Sequence, residues 1–246
     1  MSLTDFGFQK VDPKEKTKRV RGVFESVARN YDIMNDLMSL GIHRLWKQDM
    51  VKQLPLQPKM KILDVAGGTG DISFLMQEKY RHLDLEITIC DLTPSMLEVG
   101  RDRAVNKGLL HGIDWVCGNA EQLPIPENSV DLYTIAFGLR NVTHIEVALK
   151  EAHRVLKPGG VFACLEFSNV KSAFFSKVYE FYSFSLLPWL GEKVADDRES
   201  YQYLVESIRR FPAQEKLALM LKEAGMQTTS WQNLMNGISC LHIAKK

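Results

Sequence analysis

The sequence predicts an α/β fold in which a mostly parallel sheet carries helices on both faces. Between Met60 and Gly160, short β-rich runs alternate with helical ones, and the strand-like runs lack a polar face. Strands apolar on both sides belong to a sheet buried between two layers of helices. The first of these runs, "KILDVAGGTGD", stops at a cluster of glycines, as the ligand-binding turn of such a sheet does. With 246 residues, 45% of them hydrophobic and 25% charged, the chain is long enough to bury a substantial core.

In order along the chain, "MSLTDFGFQKVDPKEKTKRV" is polar and mixed in charge, unlike a signal peptide or an acid-poor transit peptide. Val20, Val23, Phe24, Val27, Ala28 and Tyr31 then recur at i, i+3, i+4 and make one apolar helix face. The core follows as strand "KILDVA", helix "DISFLMQEKY", strand "LEITIC", helix "PSMLEVGRDRAVNK", strands "IDWVCG" and "VDLYTIAF", helix "HIEVALKEAHRVL" and strand "GVFACLEF". Thr93 before Pro94 marks one helix start, and Thr143 with Glu146 reads as a capping box at another. After the core, "SAFFSKVYEFYSFSLLPWLG" is dense in aromatic residues. Lys177, Glu180 and Pro188 make it a poor transmembrane helix, which leaves core, dimer contact or cover for an apolar tail. A helix "ESYQYLVESIRRFP", another from near Ala213, and strands "MQTTSW" and "ISCLHIAKK" complete the chain. We read one domain over 1–246, with a helical cap at 1–55, a cofactor-binding core at 60–168, a helical insertion covering the substrate at 170–211, and a final helix and strands at 212–246.

A net charge of +1 gives no basic excess for a nucleic-acid partner. Cys90, Cys117, Cys164 and Cys240 form no C-x-x-C pair and read as free thiols in a reducing compartment, which with the N-terminal composition predicts a cytoplasmic protein. The patch "KEKTKRVR" is a solvated helix face or a contact for anionic lipid. No histidine pair has metal-ligand spacing and no G-x-S-x-G elbow is present, so neither a metal site nor a serine hydrolase is expected.

Gly67, Gly68 and Gly70 occupy the strand-to-helix turn, where a ligand touches bare backbone. The dinucleotide fingerprint G-x-G-x-x-G fails at Ser73, where its third glycine belongs, and no Lys-Ser or Lys-Thr pair follows as a P-loop requires. Asp71 opens the next helix, where a pyrophosphate would rest and be repelled. A nucleoside ligand without phosphate, preferably cationic, remains, and S-adenosylmethionine answers that description. Asp91, with its neighbour Leu92, closes the second strand as an acceptor for ribose hydroxyls. Asn119 and Ala120 follow the third strand and can present an amide and a backbone N–H to an adenine edge.

The succession "LDVAGGTGD", "CDLTPSML", "GNAEQLP", "VDLYTIAFGLRNV" and "EAHRVLKPGG" resembles the class I adenosylmethionine-dependent methyltransferases. More narrowly, "VFESVARNYDIMNDLMSLGIHRLWK", "FGLRNV", "RVLKPGG", "LEFS" and "YQYLVESIRRFP" resemble the ubiquinone/menaquinone biosynthesis C-methyltransferase family, from about residue 20 to the C-terminus. The resemblance implies a Rossmann-like, seven-stranded sheet and methylation of a ring carbon of a polyprenylated hydroquinone. It implies Thr69, Asp91, Asn119 and Ala120 as cofactor contacts, and Ala136 stands where many relatives carry a small hydroxyl residue. It also implies that Arg140 and Asn141 take part in activating the acceptor, and it leaves open a peripheral membrane contact, a homodimer or a quinone-synthesis complex.

A hydroquinone carbon turns nucleophilic when the adjacent hydroxyl loses its proton. Arg140 and Asn141 lie just past the fourth strand, at the crevice. A guanidinium is almost never neutral, so Arg140 reads as a fixed charge that favours the phenolate, with Asn141 orienting the hydroxyl or a water. The bland alternative for Arg140 is an ion pair with a neighbouring acid. Tyr31 and Asn35 in the cap and His144 are further candidates for proton handling, Tyr31 as a catalytic group and Asn35 as a substrate contact, while His144 reads more simply as a solvated residue in a helix's first turn. Phe181 and Tyr182 are candidates for lining a prenyl tail. The alternatives to a quinol C-methyltransferase are a methyltransferase of another apolar small molecule, since fold does not choose the acceptor, and a non-catalytic scaffold of a quinone-synthesis complex.

Overall fold

The computed structural model describes residues 3–28, 35–36, 39, 41–168 and 198–246. A hairpin of β1 (Thr4–Phe6) and β2 (Gln9–Val11) leads into α1 (Pro13–Val27), and α2 (His43–Gln53) precedes the core. The core runs β3 (Lys61–Val65), α3 (Asp71–Lys79), β4 (Glu86–Asp91), α4 (Pro94–Asn106), β5 (Ile113–Cys117), β6 (Val130–Ala136), α5 (Ile145–Val155) and β7 (Leu156–Phe167). The chain ends in α6 (Arg198–Arg210), α7 (Gln214–Glu223), β8 (Thr228–Leu234) and β9 (Ser239–Lys245).

Seven strands form one sheet in the order β5-β4-β3-β6-β7-β9-β8. The first five are mutually parallel, and β9 lies antiparallel to both β7 and β8. Side chains alternate across the sheet, and both faces are apolar: Ile62 and Leu132 enter one core cluster, while their neighbours Leu63 and Tyr133 enter the other. That is why these strands show no polar face in the sequence. On α5, Ala148, Leu149, Ala152 and Val155 form the stripe that meets the second cluster. Each fully buried Leu or Ile contributes roughly 1.5–3 kcal/mol.

After β3 the chain moves outward to β4 and β5, then returns to place β6 on the other side of β3. Strand order reverses there, and the crevice beyond the carboxyl ends of β3 and β6 is where such sheets bind ligands.

The hairpin was not anticipated, because each of its strands is only 3 residues long. The capping box is absent: α5 begins at Ile145 with His144 as the capping residue. The amide N–H groups of Thr143 and His144 instead both donate to the Glu121 carboxylate, at 3.0 and 3.2 Å. A distant acid therefore does the work expected of the local box. Of the insertion expected at 170–211, the described part is α6 and the turn after it.

Candidate active site

The loop between β3 and α3 turns on left-handed backbone at Ala66, Gly68 and Gly70, with φ of 50°, 54° and 89°. A Cβ on Gly67 would stand 2.8 Å from Ile89 Cγ2, and one on Gly68 would stand 3.0 Å from Met96 Cε. Beneath the loop lies Asp64, buried in the middle of the sheet. It accepts hydrogen bonds from Ser73 Oγ at 2.7 Å and Thr134 Oγ1 at 2.9 Å. Burial raises its carboxyl to about 6, and the two hydroxyls offset part of that rise. Ser73 thus departs from the dinucleotide fingerprint for a local reason: its hydroxyl serves a buried acid.

Asp71 is not a free negative charge. Its two carboxylate oxygens take Lys47 Nζ at 2.7 Å and Arg103 Nη2 at 2.8 Å. Burial opposes its ionisation, but the attraction and hydrogen bonds of the two cations outweigh burial and hold the carboxyl well below its usual range. Repulsion of a phosphate by Asp71, expected from the sequence, is therefore corrected, because the charge is already balanced. The departure from the dinucleotide pattern rests on Ser73 and Asp64.

Asp91 accepts from Gly68 N at 2.9 Å on one oxygen and from Thr93 N at 2.8 Å on the other. Burial raises its carboxyl and these amide bonds oppose the rise. Each oxygen keeps lone pairs for further donors. Asn119 accepts from Glu121 N through Oδ1 at 3.0 Å, which leaves its NH₂ as the free end. Asp91, Leu92, Asn119, Ala120 and Gly68 share the wall of one cleft. Thr17, Val20 and Phe24 of α1 form part of its wall, and Gly138, Asn141 and Thr143 close the end beyond β6. Gly67, Thr69 and Ala136 line a smaller hollow with Lys47, Asp64 and Asp71, and Ala66 borders both spaces. Thr69 Oγ1 accepts from Arg103 Nη1. Gly70 lines neither space; it supplies the left-handed residue before α3.

Beyond β6, Arg140 and Asn141 part ways. The Arg140 side chain is 1% exposed, and Nη1 lies 3.0 and 3.1 Å from the two Glu166 carboxylate oxygens and 2.5 Å from the Phe137 carbonyl. Its guanidinium also lies over the Phe167 ring, 5.4 Å from the centroid. It borders a separate hollow with Lys16 and Tyr203 and is not among the residues that line the cleft. The ion pair named as the alternative for Arg140 is formed. Asn141 does line the cleft; Oδ1 accepts from Tyr203 Oη at 3.1 Å, while Nδ2 is buried with no hydrogen-bond partner among the described residues.

Asn35 is buried away from the cleft wall; its backbone carbonyl accepts from Ser39 Oγ at 2.8 Å, and its Nδ2 has no partner among the described residues. His144, 37% exposed, caps α5 and does not line the cleft. Tyr31, Phe181 and Tyr182 lie outside the described residues. Sequence reasoning missed Lys47, Arg103, Glu166 and Tyr203. Glu166 left a signal, a single acid inside the apolar strand "VFACLEF", since an acid in a buried strand needs a counter-charge.

The ubiE/COQ5 methyltransferase family model matches residues 12–246. The chain belongs to that family. Mitochondrial 2-methoxy-6-polyprenyl-1,4-benzoquinol methylases are similar to it along nearly its whole length. The one from Oryza sativa subsp. japonica is 49% identical over 99% of this chain and 88% of the relative. The one from Arabidopsis thaliana is 51% identical over 99% and 90%, and the human one 45% over 97% and 83%. Among solved structures, a SAM-dependent methyltransferase from Thermotoga maritima superposes with a TM-score of 0.63 at 21% identity, covering 92% of this chain and 99% of that one. Haemonchus contortus phosphoethanolamine N-methyltransferase 2, solved with S-adenosyl-L-methionine, gives 0.59 at 14%, covering 82% and 52%.

The chain is thus an adenosylmethionine-dependent methyltransferase with the class I fold, as the motifs implied. The expected cytoplasmic location is corrected: the relatives carry mitochondrial names, which point to the mitochondrion. Composition of the N-terminal stretch was the wrong guide, because the thiol and charge content of a folded enzyme does not record its compartment.

Proposed function

We propose that the protein methylates a ring carbon of 2-methoxy-6-polyprenyl-1,4-benzoquinol, a step toward ubiquinone. The observation that supports this most is identity of 45–51% to methylases of that name over 97–99% of the chain. The cleft accords with it. Asp91 would take the ribose hydroxyls of the donor, Asn119 and Ala120 the adenine edge, and Gly68 its amino-acid end, with Gly67 and Thr69 bordering from the adjoining hollow, Gly70 shaping the turn and Leu92 packed alongside. The bound donor supplies a methyl group on a cationic sulfur. Val20 and Phe24 wall the cleft beside the acceptor, and Asn141 Nδ2 donates to the ring oxygen, whose proton passes to solvent water. In this reading Arg140 acts from behind that contact, through its pair with Glu166. The tail holds the acceptor in a bilayer, so the protein works at a membrane face, alone or within a homodimer or a quinone-synthesis complex.

A demethylmenaquinol offers a similarly activated carbon, and one experiment separates the two acceptors. Quinones extracted from cells lacking the protein should contain a methoxy-benzoquinone one ring methyl short, and restoring the gene should clear it. Accumulation of demethylmenaquinone alone would move the acceptor to the naphthoquinol, and unchanged quinones would reject the reading.

A further inference from the structure

The amide of Asn141 is engaged on one side only. Oδ1 accepts from the Tyr203 hydroxyl at 3.1 Å, and Nδ2, in a residue 8% exposed, meets no acceptor among the described residues although Asn141 stands in the cleft wall. A buried N–H is costly to leave unpaired, so this group is suited to a ligand oxygen. The two ends of an amide are nearly the same shape, and hydrogen bonds alone decide which points where. Turned over, Asn141 would present a carbonyl to the cleft, and a carbonyl repels the oxygen of a forming phenolate.

Tyr203 has the properties of a lock on that choice. Burial pushes its ionisation far above the usual phenol range, so it keeps its proton to donate. The ring is 4% exposed and stacks on Phe6 of the hairpin, with centroids 4.1 Å apart and planes 14° apart. A tyrosine on α6 is thus held by the N-terminal hairpin at a residue that follows β6.

We infer that Tyr203 is a positioning residue for methyl transfer: by donating to Asn141 Oδ1, it keeps the Asn141 NH₂ turned into the cleft, where it meets the acceptor's ring oxygen as that oxygen loses its proton. This rests on the quinol-methylation reading.

The test is a double-mutant cycle with Tyr203→Phe and Asn141→Ala, after the parent has been assayed on both quinols. Removing a donor to a forming oxyanion lowers turnover by about 10²–10³-fold, so Asn141→Ala should fall in that range. Tyr203→Phe, which keeps the ring and its stacking, should lower kcat by about 10-fold with KM and S-adenosylhomocysteine affinity within about twofold of the parent. The double variant should be no worse than Asn141→Ala, because residues acting through one contact are not additive. Multiplicative losses, or parent kcat in Tyr203→Phe, would overturn the inference. If the parent methylates neither quinol, the acceptor reading fails separately, and the lock is then judged from the side-chain amide NMR signals of Asn141. They should be sharp in the parent and exchange-broadened in Tyr203→Phe; unchanged signals would overturn it.

Discussion

The two ends of the cleft are put together differently. Around Asp91 and Asn119 the bonds are local or join neighbouring strand ends: Thr93 N reaches Asp91 two residues away, Glu121 N reaches Asn119, and Gly68 N crosses from β3 to β4, with the Arg103–Thr69 contact from α4 as the longer link. At the acceptor end they span the chain. Asn141 and Tyr203 are 62 residues apart, Arg140 and Glu166 26, and Lys16 Nζ reaches the Val142 carbonyl across 126. One end rests mostly on backbone amides bound to the Asp91 and Asn119 side chains, and the other on buried polar side chains brought together by the tertiary structure. The donor site is thereby separable from the acceptor site, and substitutions at each end should fail in different ways.

The largest effect is expected from Arg140→Ala. It leaves Glu166 buried without its counter-charge, and breaking a buried pair this way costs about 3–5 kcal/mol. Urea unfolding should show that loss, and an Arg140→Met, Glu166→Leu double variant should recover most of it. Full stability in Arg140→Ala, with only turnover lost, would make Arg140 a group of the cleft itself and erase the contrast.

Next in size is the pH dependence of Asp64. Its carboxyl is raised from 3.8 to about 6 by burial, so the folded state binds the proton more tightly than the unfolded one. Its contribution is present below about pH 4 and is lost as pH rises through about 6, up to about 3 kcal/mol for a shift of that size. Asp64→Asn should remove this component, so parent minus variant stability should decline from pH 4 to 7 and then level off. A flat difference would mean that the acid beneath the loop is ionised throughout.

Asp91→Ala should weaken S-adenosylhomocysteine binding by about 1.5–3 kcal/mol, as for hydrogen bonds to a charged group. Calorimetry should find little change in affinity for Asn141→Ala. Comparable losses in both would show that the ends are not separable. The smallest effect belongs to Thr17→Val, which removes the 3.1 Å contact between the Thr17 and Thr143 hydroxyls. About 0.5–1.5 kcal/mol of stability is expected to go, with donor affinity unchanged. A drop in donor affinity would tie α1 to the cofactor end.

This contrast also accounts for what could be read from the sequence. The strands of the core, the glycine turn, Asp91 and the Asn119–Ala120 pair were legible because each rests on a local pattern of apolar period, turn residue or strand end. Tyr203 was not, since nothing within "ESYQYLVESIRRFP" distinguishes a tyrosine that bonds Asn141 from one that fills the core. Asp71 was visible but misjudged, because its partners Lys47 and Arg103 come from two other helices. The Thr143–Glu146 box failed for the same reason, with Glu121 supplying the acceptor from a different loop.

The most direct test is methyl transfer by the purified protein, with isotopically labelled S-adenosylmethionine and a 2-methoxy-6-prenyl-benzoquinol kept reduced. Mass spectrometry of the product should find one labelled methyl on a ring carbon, with the label retained after the hydroxyls are oxidised to the quinone. Label on an oxygen, lost on oxidation, or no transfer to this acceptor while the protein binds S-adenosylhomocysteine, would contradict the account.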